Sequence, residues 1–205
     1  MIHIKNLKKL YGERTVLDIP MLEIEKGECV VLTGHNGSGK STLLKILAGT
    51  ITETEGNIST DGQIYYLPQH NLPFNKSVKN NILFCLNGER KYKKELCESI
   101  LNAFNLKKLE NKNAKTLSGG ECQRLALARV LCKKGDIILL DEPSSAADAN
   151  GRELMNNLIV RYREKTGCTL VMTTHTGEYP KTDNLRIIEL SDGKIKTDTK
   201  VGHNI

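Results

Sequence analysis

Gly34-His35-Asn36-Gly37-Ser38-Gly39-Lys40-Ser41-Thr42 lies between an apolar run, Cys29 to Leu32, and an apolar helical run, Leu43 to Leu47. Gly34, Gly39, Lys40 and Ser41 meet the spacing G-x-x-x-x-G-K-[ST], and a strand before and a helix after are the context that spacing requires. Glycines let the backbone curl with its N–H groups turned inward, making an anion nest, and the following helix start adds partial positive charge. The stretch therefore reads as a phosphate cradle. Lys40 is placed to reach the β- and γ-phosphates, the Ser41 hydroxyl to ligate Mg²⁺, and Thr42 to pack or cap. A nucleotide and magnesium are the expected guests.

Working outward, Ile2 and Ile4 alternate with polar residues, as do Leu22 to Glu25, so the first thirty residues predict antiparallel strands turning at Gly12-Glu13. Tyr11 stands beside that turn, where an aromatic ring can stack on a base or simply face water. Asn57 to Ser59 and Ile64 to Leu67 predict short strands around an Asp61-Gly62 turn, leading to Pro68-Gln69. From 70 to 116 the strand signal gives way to helical patches, Val78 to Leu86 and Lys93 to Phe104. These predict a helical subdomain at about 70–116, inserted into a core formed by 1–69 and 117–205 of a single domain.

Leu117 to Cys132 reads as a helix whose start, Ser118-Gly119-Gly120-Glu121, has the capping-box pattern. The box leaves the two glycines unexplained, because glycine in a first helical turn costs stability. A close approach by a ligand or a partner's backbone would supply the reason. Ile137 to Leu140 is a continuous apolar run, as in a parallel strand buried on both faces, and it ends in Asp141-Glu142. Ligands of open α/β sheets bind beyond the carboxyl ends of the strands, which suits Asp141 to hold Mg²⁺ and Glu142 to polarise a water. Neighbouring strand residues point to opposite faces, so different roles are expected of the two carboxylates. A helix over Asn150 to Lys165 and a buried strand over Thr169 to Thr173 follow, the strand delivering His175 to the same sheet edge. Leu185 to Leu190 and Lys194 to Lys196 predict a hairpin, and Val201 to Ile205 a loose tail.

The 205 residues suffice for one sizeable core, and no apolar run approaches the length of a membrane span. The first ten residues lack the apolar core of a signal peptide, and the default compartment is the cytoplasm. Six cysteines occur without a C-x-x-C pair, which predicts reduced thiols rather than a zinc site or disulfide framework. The net charge of +6 is spread thinly, without an aromatic-interleaved basic block, so no nucleic-acid partner is expected.

Taken together, these residues resemble the ATP-binding subunit of ABC transporters (ATP-binding cassettes) over essentially the whole chain. Gly34 to Thr42 is similar to the Walker A loop, Gln69 to the Q-loop glutamine and Leu117 to Glu121 to the family signature. Ile137 to Glu142 is similar to Walker B, Ser145 to Asp148 to the D-loop, His175 to the switch histidine and Tyr11 to the adenine-stacking aromatic. The resemblance implies an α/β fold: a P-loop NTPase core with a mainly parallel sheet, an N-terminal antiparallel β region and the inserted helical subdomain. It also implies a head-to-tail dimer with a second ATP-binding subunit, in which Ser118, Gly119 and Gly120 contact the partner's γ-phosphate. Lys40, Gln69, Glu142 and His175 would be catalytic, with Gln69 sensing Mg²⁺, and the helical subdomain would dock on transmembrane permease subunits at the inner face of the cell membrane.

Glu121, Ala147 and Thr176 depart from the usual family pattern. A carboxylate facing phosphates would be repelled, so Glu121 is expected to turn back into the capping box. The short interval from Lys40 to Gln69 and the end of the chain after the last hairpin resemble small ATPases of metal, oxyanion or minor-nutrient importers. A soluble ABC-type ATPase outside transport, as in iron–sulfur cluster assembly, is the alternative, and Glu142 argues against a switch that does not hydrolyse.

Overall fold

The structure, a computed structural model, describes residues 1–174, 177 and 179–201. Two compact units emerge, one of 1–69, 135–142 and 163–205, the other of 70–134 and 143–162. The second unit thus includes 117–134 and 143–162 as well as the stretch 70–116.

The first unit holds two sheets. β1 (Ile2–Tyr11) and β2 (Arg14–Ile24) pair antiparallel from Ile2↔Ile24 to Tyr11↔Arg14, and β4 (Glu55–Thr60) covers the other edge of β1. The second sheet has the order β5-β6-β7-β3-β8-β9, comprising β5 (Ile64–Leu67), β6 (Ile137–Leu140), β7 (Thr169–Thr173), β3 (Cys29–Thr33), β8 (Leu185–Ser191) and β9 (Lys194–Val201). Its first five strands are parallel; only β9 returns antiparallel. The apolar runs of β3 and β6 are buried along their length, apart from partly buried Thr33, as central parallel strands require. Helix α1 (Lys40–Leu47) buries Leu43, Leu44, Ile46 and Leu47 in the same core as Ile2, Ile4, Leu17, Val30, Leu32, Leu139 and Val171.

The Asp61-Gly62 turn does not close a hairpin. β4 pairs with β1 (Ile58↔Ile4) and β5 with β6 (Tyr66↔Leu139), so this turn carries the chain from one sheet to the other. The physical reason is local. Gln63 N–H donates to Asp136 Oδ2 at 2.8 Å, and a Cβ on Gly62 (φ 109°) would lie 2.5 Å from that of Asp136, so the crossing docks on the residue preceding β6. β2 and β9 run longer than their sequence signal because hairpin partners carry their exposed, polar parts.

The helical unit contains α2 (Val78–Cys85), α3 (Arg90–Ala103), α4 (Gly119–Leu131) and most of α5 (Ala149–Thr166). Asn81, fully buried on α2, ties the preceding loop down. Its Oδ1 accepts from Phe74 N–H, and its Nδ2 donates to the Phe74, Lys76 and Ser77 carbonyls. Phe74 meets Phe84 edge-on at 5.0 Å between ring centroids, and the Arg129 guanidinium lies 4.3 Å from the Phe74 ring centre. All six cysteines are free thiols. Burial, the largest influence, raises the Cys29 pKa to about 11. No helix among the described residues is long and apolar enough to cross a membrane.

Candidate functional site

The phosphate loop begins where β3 ends. Gly39 (φ 105°) precedes α1, and a side chain there would put its Cβ 2.6 Å from Leu17 Cδ2 and 3.0 Å from the Val16 carbonyl oxygen. The glycine therefore answers both a backbone conformation and a lack of room. Around the loop opens a cleft of about 550 Å³, lined by Arg14, Val16, Asn36, Gly37, Ser38, Gly39, Lys40, Ser41, Thr42, Gln69 and Glu142. Its size is that of a small-molecule site.

Lys40 is only 6% exposed, and its Nζ donates to the Gly34 carbonyl at 2.7 Å and the His35 carbonyl at 2.9 Å. Gly34 and His35 thus bracket the lysine with backbone oxygens instead of lining the cleft. Burial pulls the Lys40 pKa below the ordinary lysine value, and the carboxylates of Glu142 and Asp141 oppose that shift.

Asp141 is 1% exposed and fully engaged. Its Oδ1 accepts from Ser41 Oγ at 3.0 Å and from Thr173 Oγ1 at 2.8 Å, and its Oδ2 accepts from Tyr66 OH at 3.4 Å. Burial, reinforced by the Asp141 charge, pushes the Tyr66 hydroxyl above its usual pKa, so it stays a proton donor. Glu142 lies one residue further and departs from strand geometry: β6 stops at Leu140, and Glu142 takes a left-handed conformation (φ 49°). Different placement of the two carboxylates therefore comes from this turn and not from strand alternation. Such a conformation in a residue other than glycine costs on the order of 1–3 kcal/mol and persists where its surroundings enforce it. Here they do: Glu142 N–H donates to Thr173 Oγ1 at 2.9 Å, and Glu142 Oε2 accepts from Gln69 Nε2 at 3.0 Å.

Thr173 is thus a hub that the sequence did not single out. It is fully buried, and one hydroxyl serves both acids. Its position at the C-terminal end of a strand beside β6 was the available signal. Thr173→Val, which keeps the shape and deletes the hydroxyl, is expected to cost about 1–3 kcal/mol in urea denaturation, because Glu142 N–H and Asp141 both lose a partner. A larger proportional fall in phosphate release than in nucleotide affinity would accompany it. Stability equal to the wild type would remove Thr173 from this network.

A hydroxyl (Ser41), a carboxylate (Asp141) and an amide (Gln69) supply hard oxygen atoms near the cradle, with Ser41 and Asp141 already 3.0 Å apart. Magnesium takes such oxygens, usually one or two from protein with the rest from phosphates and water, so the donor set fits it.

Tyr11 does not line the cleft; it is 54% exposed, with Lys9 Nζ 5.1 Å from its ring centre. His175 lies outside the described residues, as do Thr176 and 202–205. Ser118, Gly119 and Gly120 belong to the helical unit, where the Ser118 side chain caps α4 and Glu121 Oε2 accepts from Ser118 N–H at 2.8 Å. Glu121 therefore does turn back, and the Ser118 backbone N–H, its largest influence, holds its carboxyl below the usual range. Within the chain, Ala146 leaves little spare room beside Gly119 and ordinary contact distance beside Gly120. A Cβ on Gly119 would stand 3.3 Å from Ala146 Cβ, and one on Gly120 3.4 Å from the Ala146 carbonyl oxygen. Gln123 holds that loop against α4, donating to Ser145 Oγ at 2.9 Å and accepting from Ala146 N–H at 2.8 Å.

Comparison with known proteins matches residues 17–145 to the ABC transporter family. The tungstate uptake system ATP-binding protein TupC of Peptoclostridium acidaminophilum is 33% identical over 95% of this chain and 96% of its own. The zinc import ATP-binding protein ZnuC of Vibrio parahaemolyticus is 36% identical over 85% of this chain and 67% of its own. The spermidine/putrescine import ATP-binding protein PotA of Bacteroides thetaiotaomicron is 32% identical over 96% of this chain, which spans only 46% of that relative. Among solved structures, the ATP-binding cassette MJ0796, as a dimer in a post-hydrolysis state bound to ADP and Pi, superposes with a TM-score of 0.84 at 29% identity, covering 98% of both chains. With a family match over more than half its length, and with the tungstate-uptake relative and the MJ0796 cassette aligned almost end to end, the chain belongs to the ABC transporter family as a nucleotide-binding domain with the P-loop NTPase fold.

Proposed function

We propose that this chain binds ATP with Mg²⁺, hydrolyses it to ADP and phosphate, and by head-to-tail dimerisation energises a membrane importer of a small nutrient, metal or oxyanion. The observation that carries the reading is the meeting of Lys40, Ser41, Asp141, Gln69 and Glu142 at the carboxyl edge of one parallel sheet, around an anion-binding loop.

In this reading Asn36 to Thr42 cradle the phosphates with backbone N–H groups. Lys40 exchanges its contacts with the Gly34 and His35 carbonyls for the more negative phosphate oxygens. Ser41, Gln69 and Asp141 hold Mg²⁺, which neutralises phosphate charge when bound. Glu142, steered by Gln69 and by its left-handed backbone, takes a proton from the water that attacks the γ-phosphorus. The new P–O bond forms as the bond to the β-phosphate oxygen breaks, with ADP as leaving group. His175 steadies the charge that develops, and Tyr11, at the β1–β2 turn outside the phosphate cleft, stacks on the adenine ring. Ser118, Gly119 and Gly120 at the start of α4 cap the γ-phosphate held by the partner subunit.

The permease subunits dock on the helical unit. Leu72, 88% exposed, and Phe84, 69% exposed, offer it apolar surface, and permease attachment places the chain at the cytoplasmic face of the membrane. The importer class rests on relatives that serve tungstate and zinc uptake.

The test is affinity capture of the tagged full chain from its own solubilised membranes with ATP, with magnesium-dependent phosphate release measured on the purified chain. Integral membrane subunits are expected to co-purify, and the captured complex should hydrolyse ATP faster than the chain alone. Capture of soluble partners only would refute the transport assignment; absence of magnesium-dependent hydrolysis in every preparation would refute the ATPase.

A further inference from the structure

The turn between β1 and β2 brings one more cation to the phosphate cleft. Arg14 opens β2 and lines the cleft together with Asn36–Thr42, Gln69 and Glu142. In the sequence, an isolated arginine after a glycine turn carries no motif.

The side chain is exposed, but the backbone that carries it is held from both sides. Arg14 is the register partner of Tyr11 across the Gly12-Glu13 turn, which sets the face on which it projects. Three residues on, Leu17 is fully buried against Gly39 of the phosphate loop, with Val16 packed on the same glycine. Asp18 N–H donates to the Gly193 carbonyl at 2.9 Å, and Gly193 N–H donates to the Ser38 carbonyl at 3.1 Å. The start of β2 is thereby fastened to the loop that cradles the phosphates.

The charge pattern says what Arg14 is for. The charged side chains lining the cleft are Arg14, Lys40 and Glu142, with the Asp141 carboxylate just behind Ser41, so two cations face two carboxylates and a phosphate chain is held by position rather than by a surplus of charge. Lys40 is engaged by backbone oxygens, and Arg186 elsewhere in this unit is paired with Asp198 and Glu28. The Arg14 side chain, by contrast, has no hydrogen-bond or ion-pair partner among the described residues. A planar guanidinium carries donors spaced for two phosphate oxygens at once, and its charge is permanent.

We propose that Arg14 is a phosphate ligand of the bound nucleotide, a second cation gripping the phosphate chain from β2. The inference rests on the nucleotide-binding reading above and deepens it. It assigns Arg14 to the phosphates and not to the base, so the gain in affinity is shared by any polyphosphate.

The experiment uses the full chain with Arg14→Ala, Arg14→Lys and a Lys40→Ala control, titrated by calorimetry with ATP and with inorganic tripolyphosphate. Arg14→Ala should weaken both ligands about tenfold, as expected for losing one exposed charge-assisted contact. Arg14→Lys should recover part of the loss, and ligand-free thermal unfolding should match the wild type. Unchanged ATP affinity overturns the proposal. So does weakened ATP binding with tripolyphosphate unaffected, since the guanidinium would then be stacking on the base. If Lys40→Ala also left both affinities intact, the phosphate site itself would be misplaced, a failure separable from that of Arg14 alone.

Discussion

Glu142→Gln is expected to bind ATP as the wild type does and to lose hydrolysis by about 10³-fold. The substitution keeps size and hydrogen-bonding capacity, so Glu142 N–H still meets Thr173 Oγ1 and the left-handed turn is retained. What disappears is a carboxylate able to take the proton of the attacking water, a contribution of roughly 10²–10⁴-fold for a positioned base. Binding is spared because Lys40, Ser41 and the loop backbone are untouched. The measurement pairs single-turnover phosphate release with light scattering in ATP. A slowed chemical step together with an ATP-dependent dimer is the expected pair of results. Hydrolysis within a few fold of wild type would remove Glu142 from the role of base and leave it as a structural partner of Gln69.

Lys40→Ala is expected to weaken ATP binding by about 10²-fold. A buried ammonium already stripped of much of its hydration has little to lose on meeting a phosphate, which makes its interaction stronger than that of a surface lysine. Charge-assisted hydrogen bonds are worth about 1.5–3 kcal/mol each, and Lys40 has three N–H donors to offer. The alanine variant also leaves the Gly34 and His35 carbonyls without their present donor, so some loosening of the loop should appear in its thermal unfolding. Equilibrium titration with ATP decides the matter. Affinity unchanged from wild type would mean that the backbone cradle alone holds the nucleotide.

Sequence patterns carried the parallel strands, α1 and the phosphate loop because each is written locally, as an apolar run, a glycine spacing or a capping box. The fate of Asp61-Gly62 was not local. Whether two strands flanking a turn pair with each other depends on what else offers them an edge, and here β1 and β6 won. Within the site, Asp141 and Ser41 were legible from their motifs, and their hydrogen bond adds geometry to that reading. Thr173 and Arg14 were not, because their importance comes from where neighbouring strands end. The left-handed turn at Glu142 likewise has no signature in Asp-Glu-Pro; it depends on a hydroxyl thirty-one residues further along the chain. Ala146 of the same chain constrains the glycines of α4 only lightly, at 3.3 Å from a Cβ on Gly119.

Gly193, in the turn between β8 and β9, donates to Ser38 and would bring a Cβ within 2.4 Å of the Val16 carbonyl oxygen. It has no side chain with which to touch a nucleotide, yet it forms part of the mould in which the phosphate loop is cast. A mutational scan scored by ATP binding would accordingly flag a position over 150 residues downstream of the loop, for reasons of shape and not chemistry. Inheritance should treat the two segments as one unit: any lineage that remodels this turn has to remodel the loop's backing with it.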